Sequence, residues 1–162
     1  MRIAVSACLL GEACRYDGRS KPCARVRELA ALGHELVPVC PEVAGGLPTP
    51  RTPCEIVRAP WMESEKAHTA GEHFWTILDA SGTDRTAAYA RGAQAELARA
   101  KGAGCKLAIL KAKSPSCGSG EIYDGTFSGA LVPGWGIAAA TFRDAGITVI
   151  DETADFSRLA NG

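Results

Sequence analysis

Residues 107–110, Leu-Ala-Ile-Leu, constrain the fold of this chain more than any other stretch. Four apolar residues in a row, with a helical pattern before them and a polar turn after, are the mark of a strand buried on both faces, as in a parallel sheet. The helical pattern is Arg85 to Lys101, RTAAYARGAQAELARAK, which sets Ala88, Tyr89, Ala93 and Leu97 on one face. The polar turn is Lys111 to Gly129, rich in Ser and Gly and holding one cysteine, Cys117. Pro115 keeps Ser114 extended, while Gly118 and Gly120 let the backbone pass close to a ligand. The thiol of Cys117 is therefore expected on a tight turn just beyond a buried strand.

The same alternation recurs along the chain. Arg2 to Ser6 reads as a strand ending in a Gly-bearing turn, Ala7 to Gly11, so Cys8 lies at a strand's carboxyl end. A loop rich in turn formers runs through Cys14 to Pro22, which suits the first position of a helix carrying Val26, Leu29, Ala30 and Leu32 and stopped by Gly33. Leu36, Val37 and Val39 form a second strand ending at Cys40-Pro41-Glu42. From Val43 to Gly82 the pattern weakens: Ile56-Val57 reads as a short strand, and HFWTILD fits strand or helix. His68 and His73 in this region have no ligand partner spaced near them and are expected to be solvated or locally bonded. After a long loop, Gly134 to Asp144 reads as a helix ended by Gly146, and Ile147 to Ile150 as the last strand. The expected fold is α/β, a mostly parallel sheet sandwiched by helices, in one domain spanning 1–162.

Eighteen basic and eighteen acidic residues cancel, which leaves no electrostatic footprint for duplex nucleic acid or an anionic membrane surface. A small-molecule substrate fits better. The apolar stretch at the N-terminus is broken by Ser, Gly and Glu, unlike a signal peptide, and a cytoplasmic location is expected. Seven cysteines, an odd number, argue against a disulfide framework and for thiols or metal ligands. Cys23, Cys54 and Cys105 are expected as small buried hydrophobes.

Cys8, Cys40 and Cys117 each follow a strand. Ligands of open parallel sheets bind outside the carboxyl ends of the strands, so these three thiols can converge although they are remote in sequence. No C-x2-C pair of the kind that clips a structural zinc site occurs. All-sulfur ligation from strand ends suits a soft metal or an iron-sulfur cluster, but the spacing is a weak signal, and the pattern alone more readily allows thiols that merely gather or never meet.

The strings SACLLGEACRYDG, VCPEVAGGLPTPR, LKAKSPSCG and IYDGTFSGALVPGWGIAAA resemble those of the thiouracil desulfidase family, in order and over nearly the whole chain. The resemblance implies a Rossmann-like single domain, a three-layer sandwich. It also implies a [4Fe-4S] cluster held by three cysteines and removal of sulfur from thiolated uracil compounds without net redox. Position by position, Cys8, Cys40 and Cys117 match the ligand motifs. Cys14, in the same CLLG-x-x-C string as Cys8, is either an alternative ligand or a reserve thiol. The second domain found in some relatives that act on transfer RNA is not expected here, which favours a free base or nucleotide as substrate.

For that chemistry Glu42 is the expected general base on water, and Ser114 the residue that relays or donates a proton. Ser116, Gly118 and Lys111 are the expected substrate contacts; Lys111, Lys113, Arg15 and Arg51 could offset cluster charge or hold a substrate phosphate, although basic residues more often serve plain surface solvation. Two other readings stand beside this one. A metal-free enzyme would use Cys117 or Cys8 as nucleophile for sulfur transfer. A nucleotide-binding module would use Gly134 to Ala139, which fits G-x-G-x-x-A, although Pro133 interrupts the strand such a motif requires.

Overall fold

A computed structural model describes residues 1–58 and 75–160. His68, His73 and the first two residues of the HFWTILD segment lie outside the described residues. The central sheet has four strands in the order β2-β1-β5-β8: β1 is Arg2–Ser6, β2 Glu35–Val39, β5 Leu107–Leu110 and β8 Thr148–Asp151. All three pairings are parallel, as the unbroken apolar run of β5 requires. Pro38 lies in β2, which is an edge strand and so tolerates a residue with no N–H to donate.

Alternate residues of the two central strands enter different cores. Ala4, Ala108 and Leu110 pack with Ala100 of helix α4 (Thr86–Gly102) and with Ala139 and Phe142 of α5 (Ile137–Asp144). Ile3, Val5 and Ile109 pack with Leu9 of α1 (Ala7–Leu10), Val26 and Leu29 of α2 (Ala24–Ala31), and Phe156. Both faces of β1 and β5 are thus buried, and their side chains are fully enclosed beyond Arg2 and Leu107.

Several sequence expectations shift in detail. The turn after β1 begins as one helical turn, α1, capped by Gly11 in the left-handed region at φ 110°. The first crossover helix starts at Ala24, two residues after Pro22, and the second strand is followed at once by a short helix, α3 (Pro41–Ala44). Trp75–Asp79 is a strand, β4, antiparallel to β3 (Cys54–Arg58). The main correction concerns residues 111–136. The expected long loop contains an antiparallel pair, β6 (Ser119–Tyr123) and β7 (Leu131–Trp135), and the last crossover helix begins only at Ile137. Gly120, Pro133 and Gly134 mask the strand pattern there, because none supplies the β-branched or aromatic residue by which a strand is recognised. A third core, of Ile56, Ile77, Tyr89, Ala93, Ile122, Ile137 and Ala138, ties both hairpins to α4 and α5. Among the described residues no helix is long and apolar enough to cross a membrane.

Candidate metal and substrate site

The chain leaves β1 toward β2 on one side of the sheet, then returns to place β5 and β8 on the other, so winding reverses between β1 and β5. Crevices form at such a reversal, beyond the carboxyl ends of the strands. A cavity of about 460 Å³ lies here, and Cys8, Cys14, Cys40 and Cys117 all line it. Glu42, Lys111, Ser114 and Ser116 line it too. Gly118 does not: it stands behind the Cys117 turn, where a Cβ would come within 2.7 Å of the Ser114 carbonyl oxygen. Its contribution is close packing.

The four thiols form one interacting group. The Cys14 thiol hydrogen-bonds with those of Cys40 and Cys8, and its pKa lies at about 11: the bond to Cys40 lowers it, while the bond to Cys8 and burial raise it further. Cys40 is raised strongly, first by its bond to Cys14 and then by burial, although the Val43 N–H of α3 donates to its sulfur. Burial pushes Cys117 up to about 12, against hydrogen bonds from Ser6 and Ser116 that lower it. The Ser116 hydroxyl lies 3.6 Å from that sulfur. Burial and mutual hydrogen bonding favour the neutral thiol at Cys14, Cys40 and Cys117, and a bound cationic centre would favour the thiolate.

Among the described residues no three His, Cys, Asp or Glu side chains are placed to hold a single ion. A polynuclear core spreads its ligands over separate irons and does not need such a point. All-sulfur donors around one cavity, with N–H and O–H groups directed at two of the sulfurs, suit an iron-sulfur core, whose properties such hydrogen bonds tune.

Glu42 is held from three sides. Arg51 Nε (3.0 Å) and Tyr89 OH (2.9 Å) donate to Oε1, and Ser116 Oγ (2.8 Å) donates to Oε2. Ser116 Oγ is also 2.9 Å from Ser114 Oγ, so both serines and Glu42 form one hydrogen-bonded chain beside Cys117. Ser114 Oγ further accepts from the backbone N–H groups of Ser116 and Cys117, which fixes the turn.

Three groups that the sequence left open find partners of their own here. The Arg51 side chain, only 6% exposed, is engaged by Glu42, Cys14 O, Pro48 O and Thr49 Oγ1, so it is a clamp between loops and not a free phosphate ligand. The Lys111 ammonium pairs with Glu152 at 2.5 Å and with Ala112 O. The G-x-G-x-x-A string offers no free helix N-terminus: Gly136 N–H donates to Gly118 O, Ile137 N–H to Pro115 O and Ala139 N–H to Ser116 O. A Cβ at Gly136 would meet Ser116 backbone at 2.6 Å. The donors a phosphate would use instead brace the Cys117 turn.

Sequence reasoning placed Tyr89 only as an apolar helix residue and passed over Ser6 and Glu96. Glu96 Oε1 accepts from the Cys40 N–H at 3.2 Å, and Ser6 Oγ accepts from the Lys111 N–H at 2.8 Å. Tyr89, Glu96 and Ser6 are polar side chains on a helix face or strand that otherwise reads as core, which was the available signal. Cys105 is a buried core residue and Cys23 packs against the core, as expected, whereas Cys54 lines the cavity and hydrogen-bonds with Tyr89.

A thiol-lined crevice at the winding reversal of a parallel sheet, with a carboxylate clamped beside it, defines an α/β protein built for a sulfur-ligated centre. The 2-thiouracil desulfurase family model matches residues 3–154, and the chain belongs to that family. It is 44% identical over 150 residues to the uncharacterized protein YbbK of Bacillus subtilis strain 168, covering 93% of this chain and 95% of that protein. The solved structure of the [4Fe-4S]-dependent thiouracil desulfidase TudS superposes with a TM-score of 0.77 at 43% identity, over 94% of this chain and 91% of that one.

Proposed function

We propose that this chain is a [4Fe-4S]-dependent desulfidase that removes sulfur from thiolated uracil compounds by hydrolysis and releases sulfide. The observation that carries this reading is the meeting of Cys8, Cys40 and Cys117 in the cavity that also holds Glu42 and Ser114. Family membership and the likeness to TudS support it. In this reading those three cysteines hold the cluster, and Cys14 stands beside them as a reserve thiol. When bound, a cluster with three protein ligands supplies an open iron, a Lewis acid suited to thiocarbonyl sulfur.

The protein's own residues do the remaining work. Glu42 takes a proton from a water that attacks the thiocarbonyl carbon, with Arg51 and Tyr89 fixing the carboxylate. Ser116 and Ser114 continue the hydrogen-bonded chain from Glu42 and pass a proton to the ring or to the departing sulfur. A C–O bond forms, the C–S bond breaks, and C=S plus water becomes C=O plus hydrogen sulfide with no change in electron count. Ser116 meets the ring from the cavity wall, Lys111 stands on the same wall with its ammonium paired to Glu152, and Gly118 lets the Cys117 turn pack closely.

The wider proposal is a single Rossmann-like domain, a three-layer sandwich, acting in the cytoplasm on a small substrate and not on duplex nucleic acid. Helices packed against both faces of β1 and β5, balanced charge and seven free cysteines support it. The metal-free alternative fits less well at Cys117, because a nucleophilic cysteine needs a depressed pKa and burial raises that of Cys117.

Anaerobic preparations should be brown, contain iron and acid-labile sulfide, and release sulfide from 2-thiouracil. Glu42→Gln should keep the iron and lose about 10²–10⁴-fold in turnover. A colourless protein with full activity, or an unimpaired Glu42→Gln variant, would overturn the reading.

A further inference from the structure

We infer that Phe127, with Tyr16, forms an aromatic rim on which the flat ring of the substrate stacks; this rests on the reading of the cavity as a thiopyrimidine site. Among the described residues, the exposed large hydrophobic side chains that are aromatic are Tyr16, 43% exposed, and Phe127, 39% exposed. Both line the cavity. Aromatic side chains are ordinarily drawn inward, so two left at the mouth of one cavity point to a planar ligand that covers them.

The backbone at Phe127 carries a second, independent mark. Among the described residues the non-glycine positions with positive φ are Lys113, at 69°, and Phe127, at 57°, and both line this cavity. A bulky residue in the left-handed region costs free energy and persists only where its surroundings over-determine it. Here the determinant is Glu55, a carboxylate only 8% exposed, whose Oε1 accepts from the N–H groups of Gly125 (3.0 Å) and Phe127 (3.2 Å). Gly125 permits the contact, since a Cβ there would lie 2.7 Å from the Ile56 carbonyl oxygen on β3. Asp124 Oδ1 tightens the same loop by accepting from Thr126 N and Oγ1. Tyr16 is anchored by its backbone, its carbonyl accepting from Arg51 N–H at 2.8 Å, while the Arg15 guanidinium sits 5.7 Å from its ring centroid. A buried carboxylate, a close-approach glycine and a strained φ thus combine to hold one phenyl ring at the cavity.

Stacking recognises a π face and tolerates changes in ring substituents, so Phe127 should govern affinity for pyrimidines in general, leaving the sulfur to be sensed deeper in the cavity. The test uses cluster-loaded protein, with binding of 2-thiouracil and of uracil measured by anaerobic calorimetry, and KM and kcat from sulfide release. Phe127→Gly removes the ring yet is at ease at φ 57°, so the loop keeps its shape. It should weaken binding of both ligands about ten- to a hundredfold, with the loss in KM and not in kcat, and Phe127→Tyr should restore affinity. Unchanged binding in Phe127→Gly, or a wild type that binds neither ring, overturns the stacking role. A wild type that binds both rings through Phe127 but releases no sulfide would sink the desulfidase reading and leave the aromatic rim standing.

Discussion

Helices α3 and α4 meet backbone to backbone, and a single methyl group placed between them tests whether that contact sets the geometry of the site. A Cβ at Gly92 would lie 1.7 Å from the Pro41 carbonyl oxygen, 2.7 Å from its carbon and 2.9 Å from Gly45 N. Gly45 mirrors this, with its Cβ 2.1 Å from the Ala88 carbonyl oxygen. Real Cβ contacts do not fall below 3.0 Å, so Gly92→Ala forces Pro41 back by roughly 1.3 Å in a densely packed interior. Pro41 sits between Cys40, tied to Glu96 of α4, and Glu42, tied to Tyr89 of α4. Displacing α3 therefore moves a proposed ligand and the proposed base together. Overpacking of this kind costs about 1–3 kcal/mol, which lowers Tm by roughly 2–12 °C for a chain of this size. A misplacement of about 1 Å at reacting groups lowers kcat about 10²-fold. Alanine is the better helix former, so propensity alone would push stability the other way. Gly102→Ala on the same helix meets nothing within 4 Å and serves as the control, with turnover near wild type and Tm unchanged or raised. Scanning calorimetry and sulfide release read both effects. A Gly92→Ala protein with unchanged Tm and full turnover would refute the claim that this contact positions Cys40 and Glu42.

Two further outcomes are expected. Arg51→Lys keeps the charge but loses the fork that joins Glu42, Cys14, Pro48 and Thr49, so stability should fall by about 1–3 kcal/mol in urea denaturation, with reduced kcat for 2-thiouracil. The pKa of Asp79 lies below the ordinary carboxylate value of 3.8, held there first by the Ser81 hydroxyl, with further bonds from Thr83 N–H, Arg85 and Ser81 N–H. A depressed pKa adds stability above the unfolded value that is lost as pH falls through the folded one. Asp79→Asn should therefore flatten the loss of stability below about pH 4, measured by thermal unfolding from pH 2 to 7.

The strands of the parallel sheet were legible because burial on both faces leaves a continuous apolar run, as in Leu107–Leu110, and the long helix because its pattern spans several turns. The thiols were legible as a set because each follows such a strand: once the strands are placed, the carboxyl-end rule brings Cys8, Cys40 and Cys117 to one crevice. The β6–β7 hairpin was not legible, since Gly120 pairs with Gly134 and Glu121 with Pro133, pairs that carry no strand signal of their own. Arg51 was misread for a related reason. Its charge was visible, but the carbonyls of Cys14 and Pro48 that consume its donors come from backbone, which has no sequence signature.

That distinction explains what the Gly134-Trp135-Gly136 string does. As sequence it suggests a phosphate-binding turn, whose glycines let a ligand approach backbone N–H groups. The structure has the same chemistry with a different occupant: the N–H groups of Gly136, Ile137 and Ala139 are taken by the carbonyls of Gly118, Pro115 and Ser116. The Cys117 turn is itself the ligand of the α5 N-terminus. Gly134 is small for the same kind of reason, since a Cβ there would press on Arg58 Nη2 at 2.4 Å and Ile122 Cδ1 at 2.8 Å. A turn whose carbonyls are bound from behind by a helix and whose Ser114 oxygen binds its own N–H groups in front has little freedom left. The hairpin that escaped the sequence reading is thus what delivers α5 to the back of that turn, and so what holds Cys117 and Ser116 rigid against Glu42.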